Sequence, residues 1–332
     1  TDYGSARAAI DLSNFRFRIS NSAVLPTVSI IIPTFRRARW LRETLATVVA
    51  QDYPADRFEI LVIDNNSPDE TRSVVAEFAT VKKAPHYLLE TRQGANFARN
   101  RGVNESTGEI LVFGDDDILV RPDWLRELVA PFVADPAGRV ASVGGEVVPV
   151  FPEGCPDWVR GFHGPQALRP DAGPTREGQV PMSANLAFRR EALAGVGLFD
   201  TSVTREGGKQ FSSDENVLTR KLRAAGREIW FAPAAVVQHQ MPAGRTTFAY
   251  VRRHAFDSAR SRVIDRVSEG RGSTGYLLSR FAGNLGKALG FTLAAGLNAV
   301  AGRGGEARKA LVRAWRSCGY LYQIPRSLAG RI

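Results

Sequence analysis

The chain has 332 residues, 44% hydrophobic and 23% charged, which suits one large folded domain with or without an appendage and argues against bulk disorder. Its two cysteines, Cys155 and Cys318, belong to no Cys/His cluster, so a disulfide framework or zinc site has no support and a reducing, cytoplasmic setting is expected. The net charge of +10 is uneven: from Met241 to Ile332 there are 16 Lys/Arg against four Asp/Glu, a balance of +12, leaving −2 for residues 1–240. The basic character therefore belongs to the last quarter of the chain.

Residues 1–26 mix charges, have no apolar stretch of signal-peptide type and read as an N-terminal extension. Val28-Ser29-Ile30-Ile31-Ile32, ended by Pro33, is a β-branched run expected to form a strand buried on both faces. Helical spacing follows over Arg37 to Gln51, then a second buried strand at Glu59–Ile63 and a polar break at Asp64-Asn65-Asn66-Ser67-Pro68. A helix to about Ala79, a strand near His86 to Glu90, a helix over Gly94–Asn104 and a strand at Glu109–Phe113 complete the run. Alternation of this kind predicts an open α/β sheet with parallel strands over the first 150 residues.

Ligands of such sheets bind beyond the carboxyl ends of the strands. Those ends here are Pro33-Thr34-Phe35-Arg36, Asp64-Asn65-Asn66 and Asp115-Asp116-Asp117. Three adjacent carboxylates repel one another unless a positive group is near, and their spacing suits a hard divalent cation, Mg²⁺ or Mn²⁺, with positions left for phosphate oxygens. A solvated turn before Arg121-Pro122-Asp123 is the plainer alternative.

Pro149 to Pro181 is rich in Pro and Gly and reads as one long loop. A strand is expected over Ala184–Phe188, a helix over Asp214–Ala225 and a strand over Glu228–Phe231, with His239 a short loop beyond. The acids Asp214 and Glu215 open that helix, where acids favour the helix dipole.

The stretches VSIIIPTFRR, EILVIDNNSPDET, GANFARNRGVNESTGEILVFGDDD, SANLAFRREALAGVGLFD, SSDENVLTRKLRAAG and IWFAPAAVVQH resemble family 2 glycosyltransferases over about residues 27 to 240. The resemblance implies a GT-A fold, an α/β architecture with a Rossmann-like, mostly parallel sheet flanked by helices, and an inverting transfer from a nucleotide-diphosphate sugar. It places a catalytic domain at 27–242 and a basic helical region at 243–332. It implies that Pro33, Thr34, Arg36, Asp64, Asn66, Arg92, Arg99, Asn100 and Asp115 line donor and nucleotide. Asp116 and Asp117 would hold the metal, joined by His239, with Asp116 the foremost ligand. Because Gly114 stands where the longer form of the acidic motif begins with Asp, the division of labour within the triplet stays open. One of Asp214 and Glu215 would be the general base on the acceptor hydroxyl, position favouring Glu215 and residue type Asp214. Asn185 would contact donor sugar or acceptor, and Trp158 would offer an aromatic platform to a sugar ring.

A UDP-sugar is the foremost donor, with GDP- and dTDP-sugars as alternatives, and the acceptor is a glycan or a lipid-linked glycan. Tyr276 to Ala301 is long and mainly apolar, but Arg280, Asn284, Lys287 and Asn298 share one helical face, which predicts a helix lying on an anionic membrane surface on its cytoplasmic side rather than crossing it. Packing on the catalytic domain or on a second subunit is the rival. A nucleotidyltransferase of similar fold remains a second enzyme reading. Nucleic acid is not an expected partner, since the tail lacks interleaved aromatics and the triplet without a metal would repel phosphate.

Overall fold

A computed structural model of the chain describes residues 25–201, 214–268 and 270–330; the expected extension over 1–26 falls almost wholly outside them. Two compact units emerge. The first holds 25–148, Pro165–Phe199 and Glu215–His239; the second is chiefly Pro149–Gly164 and the chain from Gln240 onward.

The first unit opens β1 (Val28–Thr34), α1 (Ala38–Val48), β2 (Phe58–Asp64), α2 (Thr71–Ala76), β3 (His86–Leu89), α3 (Ala95–Glu105) and β4 (Ile110–Gly114). All four strands lie where the apolar runs predict and pair in parallel in the order β3-β2-β1-β4. Next come β5 (Ile118–Val120), α4 (Trp124–Val133), β6 (Val140–Val150), α5 (Asp157–Arg160), β7 (Gly173–Pro174), β8 (Asn185–Arg189), α6 (Arg190–Val196), α7 (Asp214–Ala224) and β9 (Glu228–Gln240). The sheet continues past β4 as β8-β6-β9-β5, and β8 runs antiparallel to both β4 and β6. It is therefore mixed, a parallel half joined to an antiparallel half.

Strand pleat explains why the parallel half is apolar throughout. Ile30, Ile32, Ile60, Val62, Ile110 and Val112 point to one core together with Leu41, Leu45 and Trp124. Their alternates Ile31, Leu61, Ile63, Leu111 and Phe113 point to the other with Ala98, Leu218 and Leu222. Each fully buried Ile or Leu contributes about 1.5–3 kcal/mol. Gly102 lets α3 close on β1: a Cβ there would stand 2.4 Å from Ile31 Cγ2.

Two departures from the sequence expectations bear on function. The strand expected to end at Phe231 runs on to Gln240, because its far end pairs with β5, a three-residue strand too short to show a periodicity. The expected loop over 149–181 carries α5 and β7, and β7 pairs with β9 at Gly173↔Phe231.

The second unit contains α5, α8 (Phe248–Ser268), α9 (Thr274–Val300) and α10 (Gly304–Leu328). Ser273 caps α9, its Oγ accepting from the Tyr276 N–H. Asn284 of α9 is buried, at 4% exposure, while Leu289, Leu293 and Leu297 are 64–67% exposed. The polar positions of α9 thus meet α10, and the leucines face outward. No helix of the described residues is long and apolar enough to cross a membrane.

Candidate active site

Register is what assembles the acidic site. β4 delivers Asp115-Asp116-Asp117 to the carboxyl edge, and β5 starts at once with Ile118, whose Cα partner on β9 is His239. His239 therefore sits beside Asp117, with Nε2 2.9 Å from Asp117 Oδ1. One ligand atom each from Asp115, Asp117 and His239 lie within 4.8 Å of one another.

Asp116 points elsewhere. Its Oδ2 accepts from Thr34 Oγ1 at 2.8 Å and its Oδ1 from Arg37 Nη1 at 2.9 Å. Thr44 Oγ1 holds its backbone carbonyl at 3.0 Å. Burial pushes the Asp116 carboxyl up to about 6, the Arg37 charge drawing it back and the Asp117 charge adding to the rise. The expectation that Asp116 is the foremost metal ligand gains no support from this geometry: Thr34 and Arg37 engage both its oxygens, whereas the ligand atoms that converge belong to Asp115, Asp117 and His239.

Arg37 is the residue the sequence reading passed over. Its Nη1 also reaches Asp117 Oδ2, at 2.6 Å, so one guanidinium spans two buried carboxylates. Arg36, the neighbour expected in the site, is exposed with φ 57°, and its N–H donates to Ser67 Oγ. A buried acidic pair demands a cation nearby, and the Arg36-Arg37 pair at the adjacent strand end was the visible source. Two carboxylates with an imidazole form a donor set that fits a divalent cation. Asp115, Asp117 and His239 can hold one.

The loops after β1 and β2 support this edge. Arg36 and Asn66, at φ 57° and 63°, are the two non-glycine residues of positive φ among those described, one on each loop. Such strain is tolerated where surrounding contacts enforce it. Asp64 accepts from the Ser67 N–H at 2.9 Å and the Tyr87 hydroxyl at 2.7 Å, which fixes the β2 turn. Asn65, another residue not singled out from sequence, donates through Nδ2 to the carbonyls of Glu90 and Arg92 and accepts from the Gly94 N–H. Pro33 is half-buried at the end of β1.

The remaining expected residues divide. Arg92 is exposed and forks onto Glu90 through Nε and Nη2 at 2.9 and 2.8 Å. Arg99 is buried, with Nη1 on Asn96 Oδ1 at 3.0 Å. The Asn100 amide is taken up at both ends by the backbone of Phe199. Asn185, expected against substrate, is fully buried; Nδ2 donates to the carbonyls of Glu146 and Ala235 while Oδ1 accepts from Trp124 Nε1 at 2.9 Å. Its hydrogen-bonding capacity is spent bracing strands. Trp158, expected as a sugar platform, is 7% exposed and packs edge-on against Phe162 and Phe248 in the second unit, because burying its large ring there completes a small core. Glu215 is half-buried at the start of α7, and the Asp214 side chain lies outside the described residues.

The profile of glycosyl transferase family 2 matches residues 29–196, half of the chain. The chain belongs to glycosyltransferase family 2. It is similar to the glycosyltransferase AglE of Haloferax volcanii, 29% identical over 66% of this chain and 68% of that one. It is 30% identical to the succinoglycan biosynthesis protein ExoM of Rhizobium meliloti, over 70% and 73% of the two chains. Among solved structures it is similar to a mannosyltransferase of Pyrobaculum calidifontis in complex with GDP-Man and Mn²⁺, at a TM-score of 0.55, 22% identity and coverage of 88% and 87%. This family 2 glycosyltransferase thus has a GT-A fold with a helical C-terminal region.

Proposed function

We propose that this glycosyltransferase moves a sugar, with inversion, from a nucleoside-diphosphate donor to a hydroxyl of a glycan or lipid-linked acceptor, aided by a divalent cation at Asp115, Asp117 and His239. The convergence of those three ligand atoms within 4.8 Å carries the reading. A cation there would neutralise the nucleoside diphosphate as it departs. The imidazole favours Mn²⁺ over Mg²⁺, which prefers oxygen ligands, and the similar mannosyltransferase was solved with Mn²⁺.

The chain's own residues divide the remaining work. Arg37 holds Asp117 in place while Thr34 and Arg37 keep Asp116 turned inward. Pro33 and the loops carrying Arg36, Asn66 and Arg92 border the nucleotide, with Asp64 and Arg99 shaping them. Glu215 or Asp214, at the first turn of α7, takes the proton of the acceptor hydroxyl. The donor is a uridine- or guanosine-diphosphate sugar, the nucleotide classes of the neighbours solved with UDP-GlcNAc and GDP-Man. The catalytic domain spans 27–242 and the basic helical region 243–332. Leu289, Leu293 and Leu297 on the outer side of α9 support a seat on the cytoplasmic membrane surface, and one similar protein of Campylobacter jejuni has an undecaprenol-linked acceptor in its name.

Thermal-shift screening against sugar nucleotides with Mn²⁺, followed by product analysis, tests the reading. Stabilisation by one nucleotide class and release of free nucleoside diphosphate support it. Release of pyrophosphate from a nucleoside triphosphate would replace it with a nucleotidyltransferase.

A further inference from the structure

Within the second unit, α9 and α10 leave a cleft of about 370 Å³ between them, lined by Arg280, Asn284, Lys287 and Phe291 from α9 and by Arg313, Arg316, Ser317 and Tyr320 from α10. Four cations share one small space. None of them makes an ion pair with a carboxylate among the described residues, whereas arginines elsewhere in the chain commonly do. Sequence explains the imbalance: α9 contains no Asp or Glu, and the single acid of α10, Glu306, is held by Lys309 at 2.7 Å.

Two of the cations are pre-positioned. The Arg280 guanidinium lies 5.4 Å over the Tyr320 ring, and that of Arg313 lies 5.9 Å from the Phe291 ring. An aromatic ring beneath a guanidinium restricts it while leaving its N–H fork open to an anion. Concentrated like charge is unfavourable by itself and becomes favourable when an anion neutralises it. A planar N–H fork flanked by further cations matches the oxygens of phosphate. The cleft lies on the α10-facing side of α9, about half a helical turn from the outward leucines, so it is distinct from the apolar row.

We propose that the α9–α10 cleft is an anion site for a phosphate-bearing ligand, a phosphomonoester or diphosphate, separate from the acidic site. The ligand is either soluble or the headgroup of a lipid. The test uses the full chain with EDTA present, which disables phosphate binding through a metal. Inorganic pyrophosphate is titrated calorimetrically, and co-sedimentation is measured with phosphatidylcholine vesicles with and without phosphatidylglycerol. The variants are R280A/R313A and, should that pair fold poorly, K287E/R316E, whose side chains lie toward solvent. R308E/R326E, outside the cleft, controls for net charge.

The proposal expects at least a tenfold loss of binding in a cleft variant and near wild-type binding in the control. Pyrophosphate binding would name a soluble ligand; binding only to vesicles with phosphatidylglycerol would name a lipid headgroup. Wild-type chain that binds neither probe, or equal loss in the cleft and control variants, overturns it.

Discussion

Nε2 of His239 lies 2.9 Å from Oδ1 of Asp117, although 122 positions separate them in the chain. The pairing of β5 with β9 makes the contact, since Ile118 and His239 are register partners. A donor set from two strand ends is rigid in the way a metal site requires.

Replacing Asp117 with Asn, or His239 with Ala, should lower metal-dependent transfer at least about 100-fold, because a ligand is lost rather than its outer support. Asp116→Asn should retain Mn²⁺ affinity, since its neutral amide can still accept from Arg37. Steady-state rates across a Mn²⁺ titration distinguish the three variants.

Arg37→Met removes the shared cation from Asp116 and Asp117. Leaving buried carboxylates without it should cost about 2–4 kcal/mol in the metal-free protein. Added Mn²⁺ should recover part of the loss, so the melting temperature should rise more on metal addition in the variant than in the parent. An equal rise in both would contradict this role.

Asn185→Ala leaves Trp124 Nε1 and two buried carbonyls without their partner. A loss of about 2–4 kcal/mol is expected in chemical denaturation. The KM for acceptor should stay near that of the parent; a large KM change at unaltered stability would restore a substrate role.

Leu289→Asp with Leu293→Asp should reduce vesicle binding at least tenfold, since two exposed leucines that would enter the acyl layer become charged. Pyrophosphate binding should not change. Co-sedimentation measures the first and calorimetry the second.

The parallel half of the sheet was legible because its strands are buried on both faces and read as unbroken apolar runs such as Ile30-Ile31-Ile32. The acidic edge was legible for the converse reason: three aspartates after such a run make no sense in a core. Roles within the edge were not. Nothing local in Asp115-Asp116-Asp117 says which side chain turns inward, as that depends on Thr34 and Arg37 some 80 positions earlier. Arg37 was obscured by Arg36, its equal in chemistry, and only backbone direction separates them. Asn185 and Trp158 carry groups that bind sugars as readily as they fill a core, and their burial, which no local pattern shows, is what favours the packing use.

Mn²⁺ binding followed by electron paramagnetic resonance, on the parent and on Asp115→Asn, Asp116→Asn, Asp117→Asn and His239→Ala, tests the central claim most directly. Binding should be lost or strongly weakened in the Asp115, Asp117 and His239 variants and kept in Asp116→Asn. Loss in Asp116→Asn together with full binding by His239→Ala would contradict the account.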